Sequence, residues 1–169
     1  MRALALHILP IVLASLMTAP VAEEKPPCSD PAYHQFDFWI GDWEVRTPDG
    51  ALAGTNRIVG IEQGCALQES WEGKGGMTGT SLNAYDRVRD RWHQTWVDSH
   101  GSLLLLEGTF KDGKLILSGP ARPSPGGRVA DRITWEPIGG GTVRQLWEQS
   151  SDGGRTWAVV FDGRYSRRH

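Results

Sequence analysis

Long helical periodicity is missing from this sequence. Of its 169 residues, none beyond residue 30 repeat apolar side chains at helical spacing except for one turn at Asp30 to Phe38. That excludes helical bundles and α/β folds built on crossover helices. Charge of one sign is missing too. With 18 basic and 20 acidic residues the formal net charge is −2, so no nucleic acid or anionic membrane partner is expected, since both call for a basic patch. The basic end Arg164, Arg167, Arg168 and His169 reads as a solvated tail. There are two cysteines, Cys28 and Cys65, without the paired spacing zinc sites use, and no metal is expected. The chain also lacks a Gly-x-Ser-x-Gly elbow, a His-Glu-x-x-His pair and a phosphate loop, so no motif names a reaction.

The first residues set an expected compartment. Met1-Arg2 is a short basic start, Ala3 to Met17 is almost wholly apolar, and small residues follow at Ala19 and Ala22. This is the order of a secretory signal spanning residues 1–22. The apolar run is shorter than the ~20 residues a membrane span needs. Removing 22 of the 169 residues leaves 147, with 17 basic against 20 acidic. That is the size of one domain, large enough to bury about 68–70% of the surface its unfolded chain exposes. Residues 23–35 read as an N-terminal segment and 36–169 as the domain. A secreted or periplasmic location follows, with no membrane attachment after cleavage. In an exported chain Cys28 and Cys65 read first as a disulfide, contributing about 3–4 kcal/mol by loop entropy.

What is abundant is glycine, 21 residues, spaced to punctuate short runs of β-formers. Ten strands are predicted: Asp42–Thr47, Leu52–Glu62, Ala66–Glu72, Met77–Asp86, Arg91–Asp98, Leu103–Phe110, Lys114–Ser118, Arg128–Trp135, Thr142–Gln149 and Thr156–Tyr165. Turns such as Pro48-Asp49-Gly50 and Lys111-Asp112-Gly113 separate them, with residues that tolerate the positive φ of tight hairpins. Pro120 to Gly127 reads as a Pro/Gly-rich loop at a mouth or edge. The pattern predicts an all-β sandwich or barrel, preceded by one helical turn.

Alternation places Trp92, Gln94 and Trp96 on one strand face, Val143, Gln145 and Trp147 on another, and Gly79, Ser81, Asn83 and Tyr85 on a third. Glu69 shares a face with Leu67 and Trp71. A packed core prefers Val, Leu and Ile, whereas ligand-binding barrels line a cavity with aromatics and a few polar groups. The candidate walls are therefore Trp71, Tyr85, Trp96 and Trp147, and the candidate polar contacts are Glu69, Asn83, Gln94 and Gln145. The alternative is that these polar residues face water. Eight tryptophans are too many to fill one narrow core, because each is large and its N–H needs a partner. Some should line a cavity, while Trp43, Trp157 and Trp39 serve structure.

The segment Phe36-Asp37-Phe38-Trp39-Ile40-Gly41-Asp42-Trp43 resembles the opening of a large uncharacterised family of mostly bacterial, often secreted, lipocalin-like barrels. The likeness continues through Ser81-Leu82-Asn83-Ala84-Tyr85-Asp86, Trp92 to Asp98, Val143 to Glu148, Ser151 to Trp157 and Tyr165 to Arg168. It implies a single calycin-type antiparallel barrel and no particular reaction. Gly41-Asp42-Trp43 is also similar to the Gly-x-Trp signature of lipocalin and fatty-acid-binding barrels, where the tryptophan closes the floor, often against an arginine.

Nitrobindins share a similar opening and bind haem through a histidine near the C-terminus. Here the final strand has none, His93 and His100 lie mid-strand and in a turn, and no cofactor is expected. Ser150-x-Asp152-x-Gly154-x-Thr156-Trp157 matches the Asp-box of sialidase-type propellers, but it occurs once and supports only a hairpin. For an enzyme, Glu69 is the candidate catalytic residue, with Glu148 as a partner carboxylate, and Ser81 with His93 as a weaker pairing. An interior Glu69 should have a raised pKa unless an arginine pairs with it. An exposed or ion-paired glutamate is the plainer alternative.

Three readings follow. The first is an exported barrel binding a small, largely apolar molecule. The second is a hydrolase or isomerase using Glu69. The third is a filled barrel that serves as a structural or interaction module. Ligand identity and oligomeric state are open at this point.

Overall fold

A computed structural model describes residues 25–168. The expected signal segment 1–22 and His169 lie outside the described residues. The strands are β1 (Gly41–Arg46), β2 (Leu52–Ile61), β3 (Ala66–Gly73), β4 (Thr78–Asp86), β5 (Arg91–Asp98), β6 (Leu103–Lys111), β7 (Lys114–Ser118), β8 (Arg122–Ser124), β9 (Gly127–Gly139), β10 (Thr142–Ser150) and β11 (Ala158–Arg167). Each main strand pairs antiparallel with its neighbours, and β9 pairs with both β7 and β10 while β1 pairs with β11. The sheet therefore closes into a ten-stranded barrel with no free edge. Only β8 stands outside the ring. It corrects the expectation of an irregular loop at Pro120 to Gly127: three residues there pair with the first residues of an extended β9. Among the described residues no helix is long and apolar enough to cross a membrane.

Strict alternation explains the wall. In the run Leu103 to Leu106, Leu104 and Leu106 are buried while Leu103 and Leu105 are exposed, because successive side chains point to opposite faces. The N-terminal segment then fills one end of the barrel. Two 3-10 turns, Pro31–His34 and Asp37–Trp39, carry Phe36 and Trp39 inside, where both are fully buried. The Phe36 ring stacks on Trp39 with centroids 4.7 Å apart and meets Trp92 and Trp135 edge-on at 5.7 and 5.4 Å. The opening motif is thus the barrel's floor. Trp43 is buried beneath the Arg167 guanidinium, 4.0 Å from its ring centroid, and donates its Nε1–H to the Trp39 carbonyl at 2.8 Å.

Cys28 and Cys65 form a disulfide, with Cα atoms 5.1 Å apart and a sequence separation of 37. It ties the N-terminal segment to the β2–β3 connection at the floor. Strands β1, β3, β5 and β10 all begin at this closed end. Their far ends meet the β1–β2, β3–β4, β5–β6 and β10–β11 turns, and β8, at the open end. One of those turns is the Asp-box: Ser150 Oγ accepts the Gly154 N–H, Asp152 Oδ1 accepts those of Arg155 and Thr156, and Trp157 lies 4.1 Å under Arg132. The box consumes Thr156 and Trp157, so β11 starts at Ala158 rather than at the expected Thr156.

Candidate functional site

Above the floor the interior is not filled. A cavity of about 230 Å³ opens toward the far end. Glu69, Trp71, Gln94, Trp96, Gln145 and Trp147 line it together with Tyr165, Phe161 and aliphatic side chains that include Leu104, Ile133 and Val160. Six of the eight residues expected from sequence are therefore brought together. The other two are not. Asn83 is fully buried below the cavity, and Tyr85 packs edge-on against Tyr33 at 5.3 Å near the floor and hydrogen-bonds Asp90 with its hydroxyl. Both face inward as alternation requires, but Asn83 lies deeper and Tyr85 deeper still, beside the plug.

The six residues come from three strands in one repeated pattern: Glu69-x-Trp71 on β3, Gln94-x-Trp96 on β5 and Gln145-x-Trp147 on β10. All three strands run from floor to mouth. Each polar side chain therefore sits deeper and each indole about 6–7 Å nearer the mouth along its strand. Polar and aromatic groups form two tiers. The wall opposite Trp71 is bare for a reason: a β-carbon on Gly54 would fall 2.9 Å from Trp71 Cη2, so the neighbouring strand leaves space for the ring. Trp71 meets Phe161 of β11 edge-on at 6.2 Å.

Glu69 anchors the lower tier and is 4% exposed. Ser81 Oγ donates to its Oε2 at 2.6 Å and Asn56 Nδ2 donates to its Oε1 at 2.7 Å. Behind Ser81 the donors continue in one direction. Gln94 Nε2 donates to Asn83 Oδ1 at 2.8 Å, and Asn83 Nδ2 donates to Ser81 Oγ at 2.9 Å. The chain ends on a carboxylate that accepts twice, and hydrogen bonds aligned this way polarise one another. Burial nevertheless outweighs these two bonds and raises the Glu69 pKa from 4.5 to about 7. Across the floor of the cavity the Tyr165 hydroxyl donates to Gln145 Oε1. Burial first, and then the Glu69 charge, push that phenol well above its usual range.

The upper tier is held by carboxylates beside the cavity at the mouth end. Trp147 Nε1 donates to Asp131 Oδ1 at 2.8 Å and Trp96 Nε1 to Asp98 Oδ2 at 3.3 Å. Asp131, 2% exposed, also accepts Gln149 Nε2 at 2.9 Å and Arg122 Nε of β8 at 2.7 Å. The short hairpin at the mouth is thereby fastened to the cavity wall.

Neither a family model nor a curated protein matches this chain. The site must be read from its geometry.

That geometry separates the expected pairings. Glu148 does not approach Glu69; it points out of the barrel to the Arg132 guanidinium at 2.8 Å. Ser81 faces inward while His93 faces outward to Thr95 Oγ1 at 2.8 Å, because they occupy opposite faces of adjacent strands. Glu69 is neither exposed nor ion-paired. Sequence reasoning missed Asn56 and Tyr165. An asparagine mid-strand in β2, where β-branched residues are preferred, was the available signal for the first.

Proposed function

We propose that this protein is an exported, lipocalin-like barrel that binds a small, largely apolar molecule inside the cavity. The observation that carries the reading is the two-tier interior. Three strands that a packed core would fill with aliphatic side chains instead leave open space, with aromatic rings above hydrogen-bonding groups. Binding sites are built this way, predominantly apolar with a few placed polar groups. The volume is below the ~300–1,000 Å³ of drug-sized pockets, so the ligand is small. Open space also weighs against a filled scaffold. Export is supported by the order of residues 1–22 and by the Cys28–Cys65 disulfide, since such bonds persist in oxidising compartments.

The test is native mass spectrometry, with an absorption spectrum, on protein purified from its producing cells, beside thermal shifts against a panel of small aromatic compounds. A co-purifying mass or saturable shifts are expected, and both should vanish in Val160→Trp. Val160 lines the mouth and is 46% exposed, so an indole there plugs the opening without entering the core. Shifts that persist in the plugged variant would place binding elsewhere.

One observation favours a second reading. A cavity carboxyl whose pKa lies at about 7 is suited to general acid–base catalysis. If the molecule is a hydrolase or isomerase, its pH–rate profile should lose the corresponding limb in Glu69→Gln. Unchanged turnover in that variant removes this reading.

A further inference from the structure

We infer that the ligand carries a protonated amine that pairs with Glu69, while its apolar body lies between Trp71, Trp96, Trp147 and Phe161. This rests on the binding reading above and narrows it to a ligand class.

The first support is how this protein treats its other shielded carboxylates. Asp131 has the Arg122 guanidinium at 2.7 Å, Glu148 has Arg132 at 2.8 Å and Asp162 has Arg144 at 2.7 Å. Glu69 and Asp131 are the two buried acids among the described residues, and of these Glu69 alone lacks a cation. It has only neutral donors, Asn56 and Ser81, and no lysine, arginine or histidine lines the cavity. A carboxylate buried without a counter-charge is costly, and pairing it with a cation recovers much of that cost. The missing cation is therefore assigned to the ligand.

The second support is what surrounds the carboxylate. Both of its oxygens already accept hydrogen bonds, and the donor chain from Gln94 through Asn83 and Ser81 points toward it. Protonating Glu69 would require the Ser81 hydroxyl to turn round and accept instead of donate, against the direction of the donor chain behind it. The indole N–H groups of Trp96 and Trp147 are committed to Asp98 and Asp131 outside the cavity. They offer nothing to an anion. Aromatic rings around a desolvated cation are favourable by their quadrupole. An anionic head such as a fatty-acid carboxylate would meet Glu69 with no compensating charge, and a neutral head would leave the carboxylate as it is.

The test uses three probes of one shape: 2-phenylethylamine, 2-phenylethanol and phenylacetate, titrated calorimetrically into the full protein near pH 8. The amine should bind at least about tenfold more tightly than the alcohol, with phenylacetate weakest, as a charge-assisted contact requires. In Glu69→Gln the amine's advantage should disappear while the alcohol's affinity changes little. A second readout, independent of how that variant folds, uses the unsubstituted protein near pH 6, where amine binding should release protons as Glu69 ionises. The other titratable side chain lining the cavity, Tyr165, stays protonated there. Equal affinity for amine and alcohol, or tightest binding of phenylacetate, overturns the amine assignment and leaves the cavity reading intact. Failure of all three probes to bind overturns the cavity reading with it.

Discussion

The Trp96 ring lies against the bare backbone of Gly79, so closely that a β-carbon there would fall 2.2 Å from its Cη2. Glycine weakens a strand, yet here its missing side chain is the seat that keeps an indole against the wall and out of the cavity. The Gly79→Ala variant should force Trp96 off that seat at a cost of about 1–3 kcal/mol, as overpacking usually does. Urea unfolding measures the first effect. Probe titration should show about a tenfold loss of affinity as the ring moves into the cavity. If both are unchanged, the ring is not held by this contact.

Glu69 should make the empty protein's stability depend on pH. Its folded pKa, about 7, is raised above the ordinary 4.5, so the folded state holds the proton more tightly than the unfolded chain. The contribution is fully present below about pH 4.5 and is lost as pH rises through about 7, amounting to about 3 kcal/mol across that window. Stability of the unsubstituted protein relative to Glu69→Gln should fall over this range in paired urea titrations. A flat difference would mean that Glu69 is solvated or paired.

Asp131 should matter out of proportion to its size. Asp131→Ala leaves Arg122, Gln149 Nε2 and Trp147 Nε1 without their acceptor. A loss of about 2–3 kcal/mol is expected, mainly from leaving the indole and amide donors without their acceptor, since Arg122 is 37% exposed and can be solvated. Near-UV circular dichroism should report loosening of Trp147. Asp131→Asn keeps an acceptor for the indole and should cost less. Equal costs for the two variants would show that the charge alone is what counts.

Removing the disulfide separates floor from mouth. Cys28→Ser with Cys65→Ser should lower stability by about 4 kcal/mol by loop entropy. Probe affinity at temperatures where the variant stays folded should be unchanged, because Cys28 and Cys65 do not line the cavity. Weaker binding in the folded variant would show that the plug shapes the cavity.

Most of the barrel was legible because alternation and glycine punctuation are local signals. β5 and β7 were bounded correctly, and the Ser150–Trp157 turn formed as its residue types demand. What escaped depended on pairing partners that residue type does not reveal. β8 contains Pro123, which argues against a strand until β9 extends beside it as a partner. β9 runs through Pro137 to Gly139, beyond its expected end at Trp135, where β7 no longer pairs with it. Such edges tolerate proline. In the site, strand faces were readable and height along the axis was not. Asn83 and Tyr85 share the inward face with Ser81, but where the N-terminal plug stops is set by Phe36 and Trp39 packing on other strands. The donors to Glu69, Asn56 on β2 and Ser81 on β4, are neighbours only through strand register.

The common direction of β3, β5 and β10 gives the cavity an order of entry. With charge and amides at the bottom, indoles above and Val159 and Val160 exposed on β11 at the rim, an amphipathic ligand of the proposed kind would go in head first and come out tail first. A second apolar surface brought to the rim would then meet the greasy end before the polar one, and transfer could begin before the head had left the barrel.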